Sequence, residues 1–126
     1  MDDSSDSLIS QPQGELALQT IAMPRDANMN GDIFGGWLVS QMDLAAAVLA
    51  NKTAKGRVAT VAIEHMVFIA PVNIGDVVSC YAQLIKIGRS SITMQVSAWS
   101  TSYVISDEKN KVADGIFVFV AIDESK

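Results

Sequence analysis

The fold is decided by the stretch NMNGDIFGGWLVSQMDLAAAVLA, residues 28–50. It begins with turn-forming residues, passes through Gly35-Gly36, and continues as an apolar segment. We predict a helix from Gly35 to about Thr53, ended by Lys55-Gly56. This helix is apolar nearly all round, so we expect it to be buried on most sides. Asp43 is the only charged residue of its apolar part. Because a buried carboxylate is costly, Asp43 is expected to have either a partner or a function.

The segments after the helix are predicted to be strands joined by short turns. They cover about residues 57–69, 77–87, 91–104 and 112–122, and a short strand at 15–23 precedes the helix. In the third of these segments apolar residues alternate with polar ones, which places Ile92, Met94, Val96 and Ala98 inward. A meander of this kind is antiparallel. The predicted fold class is α+β, with an antiparallel sheet of about five strands wrapped around one long central helix.

Composition favours one small domain that associates with copies of itself. The chain has 126 residues, of which 49% are hydrophobic, and a small isolated domain must leave much of its surface in water. We predict a disordered acidic tail at 1–14 and a single domain at 15–126. The net charge is −5, but four of the acidic residues lie within the first 15 positions, and no basic block is present. This distribution argues against nucleic acid as a partner.

Cysteine and histidine usage excludes several kinds of site. The chain has one cysteine, Cys80, and one histidine, His65, so an internal disulfide and a structural metal centre are not expected. The amino-terminal residues lack a basic and apolar signal pattern, and no apolar run has the roughly 20 residues of a membrane span. We therefore expect a cytoplasmic protein with no membrane span.

Several sequence blocks follow one another in a characteristic order. They are Arg25-Asp26-Ala27-Asn28, Gly31 to Gly36, Gln41-Met42-Asp43, Gly56 to Val61, Phe68 to Asp76, Gly88-Arg89-Ser90-Ser91, and Asp114 to Asp123. The ordered set resembles the hotdog fold, and specifically the YciA-like acyl-coenzyme A thioesterases, over residues 16–123. The resemblance implies hydrolysis of acyl-CoA to a free acid and coenzyme A. It also implies a dimer with its sheets joined edge to edge, and hexamers built from three dimers.

Thioester hydrolysis needs an activated water or nucleophile and hydrogen-bond donors for the oxyanion. The backbone N–H groups at Gly35 and Gly36 are predicted to be those donors, since the first N–H groups of a helix have no partner within it. Asp43 lies seven residues after Gly36, on one stripe of the helix with Ser40. Asp43 is therefore the predicted general base, or the nucleophile that forms a transient anhydride. The resemblance adds Asn28, supplied across a subunit interface.

Coenzyme A carries phosphates, which arginine, lysine and backbone donors bind. With the resemblance, the residues predicted to bind coenzyme A are Arg57, Gly88, Arg89, Ser90, Ser91, Lys55 and Thr60. No metal and no separate cofactor are expected, because coenzyme A is part of the substrate and product. Phe34 and Trp37 are expected at the helix start. The side chains predicted to line an adaptable acyl pocket are Met42, Met66, Phe68 and Met94.

Each of these residues also has a purely structural interpretation. Asp43 could pair with a cation at a dimer interface, Asn28 could shape its loop as an Asx-turn residue, and an exposed hairpin arginine is ordinary. His65 is interpreted as a core or interface histidine rather than a catalytic one, because no Gly-x-Ser-x-Gly elbow accompanies it. A smaller residue is more usual there in the family, so His65 is expected to reshape the acyl tunnel.

Two other functions stay open at this point. A non-catalytic acyl-CoA sensor could use the same fold, since a fold alone does not determine function. A hotdog acyl-thioester dehydratase would need a histidine near the helix, where His65 is poorly placed. Release of thiol from acyl-CoAs by the wild type, and its loss in Asp43→Ala, would discriminate between these functions.

Overall fold

The computed structural model describes residues 11–122, which form five strands and one long helix. The elements are β1 (Glu15–Ile21), α1 (Gly35–Ala54), β2 (Val58–Phe68), β3 (Val77–Ile87), β4 (Ser91–Thr101) and β5 (Asn110–Ala121), with a 3-10 turn at Pro24–Asp26. The predicted helix and strands are confirmed, with ends that differ by at most three residues. Residues 1–10, most of the predicted tail, lie outside the described part. Gly14 lies so close to the Ala82 carbonyl oxygen that a Cβ would collide with it.

The strands form one antiparallel sheet in the order β1-β3-β4-β5-β2. Successive hairpins join β3 to β4 and β4 to β5, whereas β2 and β1 pair with the outer sides of β5 and β3. α1 packs across one face and contacts all five strands. This arrangement confirms the predicted α+β sheet around one helix. Within residues 11–122, β1 and β2 are the edges of the sheet.

The core lies between the inner face of the sheet and one side of α1. The helix contributes Leu38, Met42, Ala45, Ala46 and Leu49, and the sheet contributes Val78, Met94, Val96, Phe117 and Phe119. In β4 the inward positions Ile92 to Ala98 are buried as the alternation predicts. Burial of a large apolar side chain stabilises a fold by about 1.5–3 kcal/mol, so these contacts hold α1 on the sheet.

The opposite side of α1 is not covered by any part of residues 11–122. Leu44 and Val48 are about half exposed, so the expectation of a helix buried on most sides is wrong for the single chain. The physical reason is that one sheet can cover only one side of a helix. Large apolar groups on the uncovered side indicate a surface for another subunit.

β2 is an irregular edge strand. Its register with β5 shifts between Thr60 and Ala62 and again between Glu64 and Val67. The second shift contains His65, which has a left-handed φ of 52°. His65 is exposed, so the core interpretation is wrong for the single chain, and its place on a free edge fits the interface interpretation.

The loops divide between the two ends of the sheet. At the end where α1 begins, the loop before the helix meets the loop after β2, through a hydrogen bond from Ile33 N–H to the Val72 carbonyl of 3.4 Å. At the end where α1 finishes, the β3–β4 turn meets the last residues of β5, since Ala121 N–H donates to the Ser90 carbonyl. Among the described residues, no helix is long and apolar enough to cross a membrane.

Candidate active site

The carboxylate of Asp43 is held by a side chain from the neighbouring edge strand. Thr60 Oγ1 donates a hydrogen bond of 2.7 Å to Asp43 Oδ1. Asp43 is half-buried, on the stripe of α1 that also carries Ser40 and Gly36. Thr60 was predicted within the coenzyme A set, whereas the structure places it on the predicted catalytic carboxylate. Sequence reasoning missed this pairing because the contact joins residues 17 apart, in different elements.

The amino-terminal end of α1 offers backbone donors. Leu38 N–H is the first to find a helical acceptor, the Phe34 carbonyl at 3.2 Å. Among the described residues, no side chain caps this end. Apart from its two chain neighbours and the backbone of its own helix, no residue of 11–122 has an atom within 4 Å of a Cβ built on Gly36. The predicted donor pair Gly35 and Gly36 is therefore open at Gly36, where a carbonyl can approach the backbone closely.

Asn28 shapes the loop that leads into this helix end. Its Oδ1 accepts hydrogen bonds from Asn30 N–H at 2.8 Å and Asp32 N–H at 3.1 Å. Its backbone also pairs with Asp32, whose carbonyl accepts the Asn28 N–H at 2.7 Å. The loop-shaping interpretation is therefore confirmed. Its Nδ2 donates to no acceptor within the described part of the chain, so the amide N–H groups remain available for a second role.

Most of the predicted coenzyme A residues meet at the other end of the molecule. A cavity of about 170 Å³ lies against the carboxyl-terminal turn of α1, and Gly88, Arg89, Ser90 and Ser91 line it. Arg57 is adjacent, because its carbonyl accepts Ile122 N–H at 2.9 Å beside the Ser90 contact. Lys55 ends the helix in the left-handed conformation. Thr60 stands apart from this cluster and belongs with Asp43.

An apolar groove adjoins the start of α1. It has a volume of about 370 Å³ and is lined by residues 33–35, Leu38 and residues 68–72. Of the four residues predicted to line an acyl pocket, Phe68 lies here, whereas Met42 and Met94 are fully buried in the core. The prediction was wrong for Met42 and Met94, because the residues that fill a core and the residues that line a cavity have similar compositions.

Three further titratable residues, Cys80, Asp76 and Asp114, have burial or hydrogen bonds that give them a structural role. Cys80 is a buried interior residue, and burial raises the pKa of its thiol to about 12. Asp76 accepts hydrogen bonds from Asn73 N–H and Ser100 Oγ. Asp114 accepts hydrogen bonds from Gln95 and Lys111. Among residues 11–122, no three His, Cys, Asp or Glu side chains lie close enough together to hold a metal ion.

Comparison with known proteins gives one consistent result. The sequence profile of the thioesterase superfamily matches residues 30–104. The acyl-CoA thioester hydrolase YciA of Salmonella typhimurium is 50% identical over 115 residues, covering 89% of this chain and 86% of that protein.

Two solved structures have the same architecture. A hexameric thioesterase from Yersinia pestis is 48% identical with a TM-score of 0.87, covering 91% of this chain and 94% of that one. A hexameric hotdog-fold thioesterase of Campylobacter jejuni is 35% identical with a TM-score of 0.79, covering 89% of this chain and 86% of that one. These similarities extend over nearly all of the described residues.

Proposed function

Since this chain belongs to the thioesterase superfamily, we propose that it hydrolyses acyl-CoA thioesters to a free carboxylic acid and coenzyme A. The observation that carries the proposal is the Asp43 carboxylate, which Thr60 holds at 2.7 Å on the helix whose amino-terminal N–H groups are open. A carboxylate two turns further along the same helix than these donors supplies, together with them, both groups that acyl transfer to water requires.

The proposed reaction replaces a carbon–sulfur bond by a carbon–oxygen bond. The thioester carbonyl oxygen lies at the N–H groups of Gly35 and Gly36, where helix donors stabilise the developing negative charge. As general base, Asp43 takes a proton from water, whose oxygen attacks the acyl carbon. The carbon–sulfur bond then breaks, and Asp43 returns its proton to the departing sulfur, which leaves as coenzyme A. As nucleophile, Asp43 attacks the carbon itself, and water then hydrolyses the anhydride. The chemistry needs no resident cofactor, because coenzyme A enters and leaves with the reactants.

The coenzyme A arm is proposed to follow β2 from Thr60 to Arg57. Arg57 directly precedes β2 and is three residues before Thr60, a separation of roughly 10 Å in an extended chain. Arg57 then leads to the cavity at Gly88–Ser91, where Arg89 and two serine hydroxyls can bind phosphate. Lys55 follows directly after Ala54, which lines the same cavity. The positive side chains also offset the negative end of the α1 dipole, which would otherwise repel phosphate.

The proposed active unit is a dimer joined along β2, with further assembly to a hexamer. β2 is a free edge whose backbone can pair with a second copy, and its apolar side chains Val61, Ile63 and Val67 are exposed. Leu44 and Val48 of α1 add apolar surface beside it. The solved relatives from Yersinia pestis and Campylobacter jejuni are hexameric. In the proposed dimer, Asn28 of one chain completes the site at Asp43 of the other.

A cytoplasmic location is part of this proposal. The single cysteine is a buried free thiol, which fits a reducing compartment better than an oxidising one. Fractionation of the producing cells, followed by immunoblotting, would test this location.

Thiol release from a panel of acyl-CoAs tests the function directly. Wild type is expected to release thiol, and Asp43→Asn to lower kcat by about 10²–10⁴-fold, as loss of a general base or nucleophile does. Ser40→Ala, on the same helix stripe, is the control, because Ser40 Oγ donates to the Trp37 carbonyl rather than to Asp43. Equal rates in wild type and Asp43→Asn would contradict the mechanism, and binding without turnover in wild type would contradict the enzyme proposal.

A further inference from the structure

A polar cavity, separate from the groove and from Asp43, lies between the β2–β3 turn and the β4–β5 loop. Its volume is about 350 Å³, and it shares only Ala70 and Pro71 with the lining of the apolar groove. Two carboxylates, Asp76 and Glu108, line it together with serine and asparagine side chains, whereas no lysine, arginine or histidine of residues 11–122 does. The cavity therefore carries negative charge.

Asp76 is the only buried charged residue in the described part of the chain, with 5% of its surface exposed. Its Oδ2 accepts hydrogen bonds from Asn73 N–H at 3.1 Å and from Ser100 Oγ at 3.2 Å. These two bonds tie the β2–β3 turn to β4. Because a single oxygen accepts both of them, the structural role of Asp76 uses only half of the carboxylate.

The other oxygen of Asp76, Oδ1, is open to the cavity. It accepts no hydrogen bond from residues 11–122. Within that range no fully buried side-chain oxygen or nitrogen lacks a partner, so Oδ1 has access to the space that Asp76 lines. No basic side chain of the described residues forms an ion pair with Asp76 or Glu108. A carboxylate buried without a counter-ion is costly, and a bound cation would remove that cost.

We propose that this cavity binds a small organic cation, a linear diamine or polyamine, with one ammonium group at Asp76 Oδ1. An ammonium group has three donors, and the carboxylate, hydroxyl and amide oxygens of the lining can accept them. Ala70, Pro71 and Val112 supply apolar contact for a methylene chain, and Glu108 offers a carboxylate to a second ammonium group. A cavity of this volume suits an organic molecule better than a single metal ion, which needs several ligands close together. The inference is independent of the proposed thioesterase function.

Isothermal titration calorimetry with 1,4-diaminobutane tests the site, and 1,4-butanediol is the neutral control ligand. We expect saturable binding of the diamine, weakened by added NaCl, and no binding of the diol. Asp76→Asn keeps an oxygen acceptor for Asn73 N–H and Ser100 Oγ but loses the charge, so the Kd for the diamine should rise about 10- to 100-fold. Asp107→Asn is the matched control, because it removes one negative charge from the same loop at an exposed position outside the lining. It should leave the Kd unchanged.

Hydrogen–deuterium exchange of the wild type locates the site without any substitution. With 1,4-diaminobutane bound, amide exchange should slow in residues 73–76 and 100–110, and unchanged exchange in both segments would overturn the proposal. Equal Kd values for wild type and Asp76→Asn would also overturn it, because the amine would then respond only to the net charge of −5. Binding of CaCl₂ without binding of the diamine would contradict an organic ligand. None of these readouts uses thiol release, so failure of the proposed thioesterase function would leave them unaffected.

Discussion

Thr60 Oγ1 donates to Asp43 Oδ1 across 2.7 Å, which joins the middle of α1 to the third residue of the edge strand β2. The register shift that follows Thr60 changes the course of the strand next to this contact. A threonine held in this way fixes one carboxylate oxygen and leaves the other for chemistry. In the proposed mechanism, Thr60 is a positioning residue for Asp43.

Removal of the Thr60 hydroxyl is expected to lower activity without unfolding the protein. A hydrogen bond to a charged group contributes about 1.5–3 kcal/mol, so Thr60→Val should lower kcat roughly 10- to 100-fold. Thr60→Ser keeps the hydroxyl and should keep most of the rate. Thr93→Val, a half-buried threonine of β4, is the matched control in steady-state assays. A Thr60→Val enzyme with wild-type kcat and pH profile would contradict the positioning role.

The fold could be predicted because several local signals agree. The double glycine, the apolar run and the closing Lys55-Gly56 mark one helix, and the alternation in β4 marks which side chains are inward. These signals come from residues that are close together in the sequence, so they can be recognised from the sequence alone. Exposure of Leu44 and Val48 could not be predicted in the same way, because it depends on how much of the helix one sheet can cover.

The site was only partly predictable for a related reason. Asp43 stands out because a charge in an apolar helix is unusual. Thr60 does not, since threonine is ordinary in strands and its contact with Asp43 depends on packing. Met42 and Phe68 are both large and apolar, yet one is buried in the core and the other lines the groove. Only the three-dimensional position separates these two environments.

The left-handed backbone at His65 predicts an unusual order of stabilities. At a φ of 52°, any residue with a Cβ destabilises the folded state by about 1–2 kcal/mol, and glycine does not. Part of this advantage of glycine is lost because glycine has more conformational freedom in the unfolded chain. His65→Gly should therefore be about 1 kcal/mol more stable than His65→Val in urea unfolding at fixed protein concentration. At position 64 the order of stabilities should reverse, so that Glu64→Val is more stable than Glu64→Gly, as in an ordinary strand. The same order at both positions would contradict a left-handed bulge at His65.

The buried thiol of Cys80 predicts a loss of stability at alkaline pH. Burial raises its pKa from 9.0 to about 12. The folded state therefore keeps a proton that the unfolded state loses, and this stabilising contribution is fully present below pH 9 and lost as the pH rises toward 12. The slope from this group approaches about 1.4 kcal/mol per pH unit. Urea unfolding of wild type and Cys80→Ala between pH 8 and 10.5 should show a steeper decline in wild type, and equal slopes would contradict the prediction.

The division of the active site between two chains can be tested by complementation. Asn28→Asp keeps the Oδ1 acceptor for the Asn30 and Asp32 N–H groups but removes the amide donor, so the loop should survive while activity falls about 10²-fold or more. Its thermal unfolding curve should match wild type, whereas Asn28→Ala should be less stable because the loop N–H groups lose their acceptor. Asp43→Asn removes the other half of the site.

Mixed dimers of Asn28→Asp and Asp43→Asn distinguish a shared site from a single-chain one. If each site takes Asn28 from one chain and Asp43 from the other, a mixed dimer has one site with both substitutions and one with neither. Random pairing makes half of the dimers mixed, so co-expression should restore about one quarter of wild-type activity. If both residues act within one chain, every site carries one substitution and no activity returns. Thiol-release assays on the co-expressed protein, with each variant alone as the control, decide between these outcomes.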